Sequence, residues 1–145
     1  MSAQLKEKLR ADLNEARRAR EKHRTLLLST TLSELKNREI ELGREAADED
    51  VLEVITRAIK RRREAAEQMR AGARADLAEQ EEREAVLLSG YLPPQLDEAE
   101  VRALVREIVA SGATAVGPVM GALVPRIKGR FDTREANRIV REELP

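Results

Sequence analysis

Six basic side chains crowd the carboxyl end of the sequence: Arg126, Lys128, Arg130, Arg134, Arg138 and Arg141. Across that span only Asp132 and Glu135 oppose them, a local excess of four positive charges. Arg134, Arg138 and Arg141 are spaced four and three apart, so on a helix they share one face. Arg126, Lys128 and Arg130 fall at the turn before it. Cations so placed can neutralise phosphates and release their counterions, which is the chemistry of nucleic-acid backbone binding. The alternative for the same residues is a solvated helix face held by intrahelical pairs.

A second basic run, Arg57 with Lys60, Arg61, Arg62 and Arg63, winds round three sides of a helix and is followed by Glu64 and Glu67. It reads as ordinary surface. Its acidic counterpart, Glu79, Glu81, Glu82 and Glu84, can pair with it across a helical hairpin. Exposed pairs of that kind contribute ~0–1 kcal/mol each, so they set register more than stability.

The residues for catalysis are missing. His23, the one histidine, stands between Lys22 and Arg24 and reads as a surface group, not a general base. There is no cysteine, hence no thiolate nucleophile, thiolate metal site or disulfide framework. No Gly-rich phosphate loop, nucleophile elbow or metal-ligand spacing appears. The sequence therefore predicts no catalytic residue, no metal ligand and no cofactor.

The elements that must position the basic residues are helical. The 145 residues suit one domain or two small ones, and 37% of them are charged, with Lys+Arg and Asp+Glu at 27 each. The chain leans on Ala, Leu, Glu and Arg, all strong helix formers, and its only aromatics are Tyr91 and Phe131. Apolar runs of a few residues predict no membrane span, and Met1 to Lys6 lacks the apolar core of a signal peptide. A reducing cytoplasm is the expected location.

The strongest break is Gly90-Tyr91-Leu92-Pro93-Pro94-Gln95-Leu96. Two consecutive prolines stop a helix and push the preceding residues toward extended geometry. Gly90 suits a left-handed helix end, and Asp97 suits an N-cap with Glu98 and Glu100 in the first turn. The break separates an amino-terminal part, residues 1-92, from a tail, residues 93-145.

Before it, four helices are expected. Leu5, Leu9, Leu13 and Ala16 stripe the first, with Ser2 as its cap. Arg17 to Arg24 is a kink or turn. The second runs from about Arg24 to Leu42 on Leu28, Leu32 and Leu35, and Gly43 ends it. Asp48, Glu49 and Asp50 open the third, which buries Val51, Leu52, Ile55, Ile59, Ala66 and Met69 and ends at Gly72. The fourth, Ala75 to Ser89, carries Leu77, Ala78, Ala85 and Leu88. Such narrow stripes predict an elongated layer of helical hairpins.

After it, the apolar faces broaden. Val101, Leu104, Val105, Ile108 and Val109 precede Gly112. Val116, Val119, Met120, Leu123, Val124 and Ile127 form the next face, limited by Pro125 and Gly129, with Gly117 and Gly121 placed for close helix approach. Asp132 and Glu135 match a capping box ahead of Ala136, Ile139, Val140 and Leu144. The class is all-α: an elongated amino-terminal part of about four helices and a compact three-helix tail.

Tyr91-Leu92-Pro93-Pro94-Gln95-Leu96, Gly112-Ala113-Thr114, Val119 through Arg130, Asp132 and Asn137-Arg138-Ile139-Val140-Arg141 together resemble the GatB/YqeY family. In the amino-terminal part, Leu35 through Leu42, Ile59 through Glu64 and Ala71 through Ala78 are similar to the stand-alone YqeY proteins. The resemblance covers nearly the whole chain. It implies an all-helical fold whose tail is similar to the carboxy-terminal domain of the B subunit of the tRNA-dependent amidotransferase, a domain that engages the tRNA body. It further implies that Arg126, Lys128, Arg130, Arg134, Arg138 and Arg141 contact phosphates. The kinase and amidase centres of that carbon–nitrogen ligase lie in domains absent here. Phe131 and Thr133 stand where the family has a small residue and a Gly, and Pro118 where a Lys is common. These changes imply a stiffer loop with one positive charge fewer. The expectation is a non-catalytic module that binds tRNA or serves translation. The alternatives are a protein-interaction adaptor, or an accessory subunit of a glutamine-dependent tRNA amidotransferase.

Overall fold

A computed structural model describes residues 4–145. They form seven helices and no strand. The chain divides into two compact units, Met1–Leu92 and Pro93–Pro145. No helix among the described residues is long and apolar enough to cross a membrane.

The first unit holds α1 (Gln4–Arg18), α2 (Lys22–Leu42), α3 (Asp48–Ala71) and α4 (Ala75–Ser89). Leu9 and Leu13 of α1, Leu27, Leu28 and Leu35 of α2, Val51 and Ile55 of α3 and Leu88 of α4 meet in one core. The most extensive helix contact is α3 on α4. Only Ala78, Ala85 and Leu88 of α4 are buried, and the two alanines keep the surfaces low enough for the backbones to approach. The expected Ser2 cap lies outside the described residues.

Local chemistry explains the turns, with corrections. Gly43 ends α2 at φ +71, and its N–H reaches the Glu39 carbonyl at 2.8 Å. Gly72 follows α3, but the left-handed residue is Ala73, at φ +61. The Arg74 N–H then closes on the Met69 carbonyl at 2.7 Å, completing a Schellman turn. The kink between α1 and α2 closes the same way, with Arg20 at φ +57 and the Glu21 N–H on the Ala16 carbonyl. α2 begins two residues earlier than expected, because this turn needs only three residues. Gly90 is not left-handed: it keeps φ −63 and ψ −17, so α4 ends in a tight right-handed turn. Leu77, in the first turn of α4, is 40% exposed and is not part of the buried face.

The second unit holds α5 (Glu98–Ala110), α6 (Val116–Ile127) and α7 (Thr133–Glu143), each packed on the other two. Val101, Val105, Val119, Leu123, Ile127 and Ile139 are fully buried between them. Asp97 caps α5 in a complete capping box: its carboxylate accepts from the Glu100 N–H at 2.7 Å, and its own N–H donates to the Glu100 carboxylate. Asp132 caps α7 from one side only, accepting from the Arg134 and Glu135 N–H groups. The Glu135 carboxylate turns to Arg138 instead of completing the box. Gly117 and Gly121 admit no close helix, since a Cβ at either would meet open space.

Candidate nucleic-acid interface

Of the six basic residues only Lys128 and Arg130 lie in the turn between α6 and α7; Arg126, expected in that turn, belongs to the last turn of α6, and Arg134, Arg138 and Arg141 are on α7. The segment leading into α5 holds the turn in place. The Leu96 N–H donates to the Arg130 carbonyl at 2.9 Å. Gln95 Nε2 donates to the Gly129 carbonyl at 2.8 Å. Arg130 returns the contact, its Nε donating to the Pro94 carbonyl at 2.9 Å. A proline carbonyl keeps its acceptor although the residue has no N–H, so Pro94 fits this role. Gly129, at φ +73, lets the backbone double back so that the Arg130 N–H meets the Ile127 carbonyl at 2.8 Å. Leu96 and Phe131 then pack on the core of the unit. The Pro93–Leu96 segment is therefore clasped to the Lys128–Phe131 turn by three hydrogen bonds.

The six basic side chains meet different surroundings. Arg134 and Arg141 are exposed on α7, and Arg141 Nε donates to the Asn137 amide oxygen at 2.8 Å. Arg126 lies 3.5 Å from Glu107 of α5. Lys128 and Arg130 are half-buried in the turn. Arg138 is enclosed by carboxylates, with Glu98 at 2.9 Å, Glu135 at 2.9 Å and Glu142 at 2.7 Å. Those three raise its pKa above the usual arginine value.

Arg138 belongs to a network that fastens α7 to α5. Glu98 and Glu142 also bind Arg102, and Glu143 binds both Arg102 and Arg106. Glu98 is held below the usual carboxylate value by Arg138 first and Arg102 second, and Glu143 by Arg106. Four carboxylates here meet three guanidinium groups, so this side of the unit offers phosphate no excess charge. Composition agrees: residues 93–145 hold eight Lys and Arg against eight Asp and Glu.

Sequence spacing gave no sign of the α5 glutamate that captures Arg138. The pair Glu142-Glu143, one turn beyond Arg138, was the available signal. The other basic run is also divided. Arg62 lies 3.6 Å from Glu84 across the α3–α4 hairpin, but Arg61 pairs with Glu34 of α2, and Glu82 takes Arg70. His23 is exposed on α2.

Comparison with curated proteins returned no match. Residues 6–144 match the family model described as Yqey-like protein. That match takes in the clasp, the basic turn and the helices of both units, and the chain belongs to the YqeY-like protein family.

Proposed function

We propose that this protein is a non-catalytic module that binds tRNA through its carboxy-terminal unit. The observation that supports the reading is the turn bearing Lys128 and Arg130, held by the clasp, with Arg126 at the end of α6 and the exposed Arg134 and Arg141 on α7. A clasped turn offers its cations to phosphates with little ordering left to do on binding. The resemblance of this unit to the tail of the amidotransferase B subunit points the same way. Arg138 takes the role of a fastener in this reading, because its donors are already engaged by carboxylates. Binding of this kind falls with salt and shows little sequence preference. The test is filter binding of bulk tRNA at low and moderate salt, beside R126E/R134E/R141E. Salt-sensitive binding lost in the variant supports the reading, and binding that ignores both salt and variant overturns it.

A second reading, a protein-interaction adaptor, is favoured by exposed aliphatic side chains in the first unit. Val86 and Leu87 of α4 are 69% and 48% exposed, and Leu26 of α2 is 66% exposed. Sedimentation of the isolated chain as a monomer, unchanged by Val86→Lys, removes self-association from that reading. Co-purification with amidotransferase catalytic subunits would identify an accessory subunit.

A further inference from the structure

The first unit contains a polar cavity of about 180 Å³ between α2 and α3, lined by Glu34, Asn37, Arg38 and Glu41 on one side and Arg57 and Arg61 on the other, with Val54 as an apolar floor. Most of its charge is already paired. Arg61 binds Glu34. Arg38 binds Glu41 at 3.0 Å and lies 3.8 Å from Glu53. These cross-helix pairs give the register: α2 and α3 run in opposite senses, and Asn37 and Arg57 lie between the two pairs. Among the described residues neither the Asn37 amide nor the Arg57 guanidinium has a partner. A third donor is also unused, since Arg38 Nε is buried without a hydrogen-bond acceptor. A buried N–H left unpaired is costly, so an acceptor supplied from outside is favoured there.

We propose that this cavity binds a small monocarboxylate, with Arg57 taking its two oxygens and the Asn37 amide and Arg38 Nε as further donors. Charge decides between anions. Arg57 supplies one positive charge not already engaged, whereas Glu34 and Glu41 line the same space. A monoanion is balanced by Arg57, but a phosphate dianion leaves a negative charge facing both glutamates. The planar, forked guanidinium suits a planar carboxylate. Val54 offers room for a methyl or short aliphatic group. The site belongs to the first unit alone and does not depend on the basic turn of the second.

The test uses the full chain, with arginine Nε–H resonances followed as sodium acetate is added, against sodium chloride and sodium phosphate at matched ionic strength. The expected result is saturating shifts at Arg38 and Arg57 with acetate only. Arg57→Gln, at an exposed position, weakens the midpoint by about tenfold or more, the loss of a charge-assisted hydrogen bond. Asn37→Ala weakens it by a smaller factor. Shifts that grow linearly and equally with chloride overturn the proposal, as does tighter binding of phosphate than of acetate. An unchanged midpoint in Arg57→Gln overturns it too. Arg57→Gln leaves bulk tRNA binding by the second unit untouched, so failure of one reading is separable from failure of the other.

Discussion

Glu39 accepts from the Lys6 ammonium at 2.7 Å, and both side chains are buried, 8% and 5% exposed. The same carboxylate accepts from the Ala46 N–H at 2.8 Å, so one side chain joins α1, α2 and the loop before α3. Asp48 adds a parallel tie, accepting from the Leu5 N–H at 3.0 Å. A buried charge needs all its partners, because removing one leaves the other stranded in a poor solvent.

Lys6→Met therefore destabilises the protein by about 3 kcal/mol, read by urea unfolding at neutral pH. The double variant Lys6→Met, Glu39→Leu recovers a large part of that loss, since no charge then remains unpaired. Equal stability of the wild type and the single variant would show that the pair contributes nothing.

Acid should weaken the same knot. The Lys6 hydrogen bond first, and the Ala46 N–H second, hold the Glu39 carboxyl below its ordinary value of 4.5. Asp50 is lowered from 3.8, chiefly by Arg44. The folded state then binds fewer protons than the unfolded state. The stability these groups contribute is fully present above pH about 4.5 and is lost as pH falls through their lower folded values. Glu39→Gln flattens that acid limb in unfolding curves taken from pH about 6 to 2.

The only tyrosine gives a signal at the other end of the scale. The Tyr91 hydroxyl donates to Asp12 at 2.5 Å. Burial first, and Asp12 second, push its pKa above the ordinary 10.0. Ultraviolet difference titration should show phenol ionisation beginning only above pH 10 and accompanied by unfolding, because the stability tied to the neutral phenol is lost as pH rises past the unfolded value. Asp12→Asn lowers the midpoint. Ionisation at the ordinary value in native protein would exclude the bond.

Backbone handedness separates three small residues. Ala73 holds φ +61, where a Cβ is strained, so Ala73→Gly stabilises by about 1 kcal/mol. Gly43 holds φ +71 with nothing near its Cα, so Gly43→Ala destabilises by a similar amount. Gly121 is helical and faces open space, so Gly121→Ala stabilises by about 0.5–1 kcal/mol. Thermal midpoints of the three variants check the order.

The clasp makes a local prediction. Gln95→Ala removes the donor to the Gly129 carbonyl, at a cost of about 1 kcal/mol. Hydrogen exchange at the Leu96 amide, which donates to the Arg130 carbonyl, accelerates about fivefold, while exchange at Ile55 in the first unit stays as it was.

The helices were legible because their signals are local. Asp97 with Glu100, Gly43 after Leu42, and the apolar stripes of α1, α5 and α7 each lie within a few positions of what they control. Leu27, Val54 and Ala58 escaped notice because α2 and α3 are buried on broader faces than their leucine and isoleucine spacing suggested. Gly90 misled because a proline pair just beyond it already ends the helix, which removes the need for a left-handed residue. For the basic residues, spacing identified the shared face of α7 but not its neighbours. Glu98 lies forty positions from Arg138 in sequence and 2.9 Å from it in space. The clasp was equally hidden, since Gln95 and Gly129 are thirty-four positions apart.

The balance of charge within each unit bears on how a polyanion would arrive. Residues 1–92 hold nineteen Lys and Arg against nineteen Asp and Glu, and residues 93–145 are likewise balanced. Beyond a screening length of about 10 Å such a unit exerts little pull, so long-range steering is weak and diffusional capture slow relative to that of a strongly basic protein. Selection among partners then falls to residence time after contact, set by the few guanidinium groups that no carboxylate has already engaged.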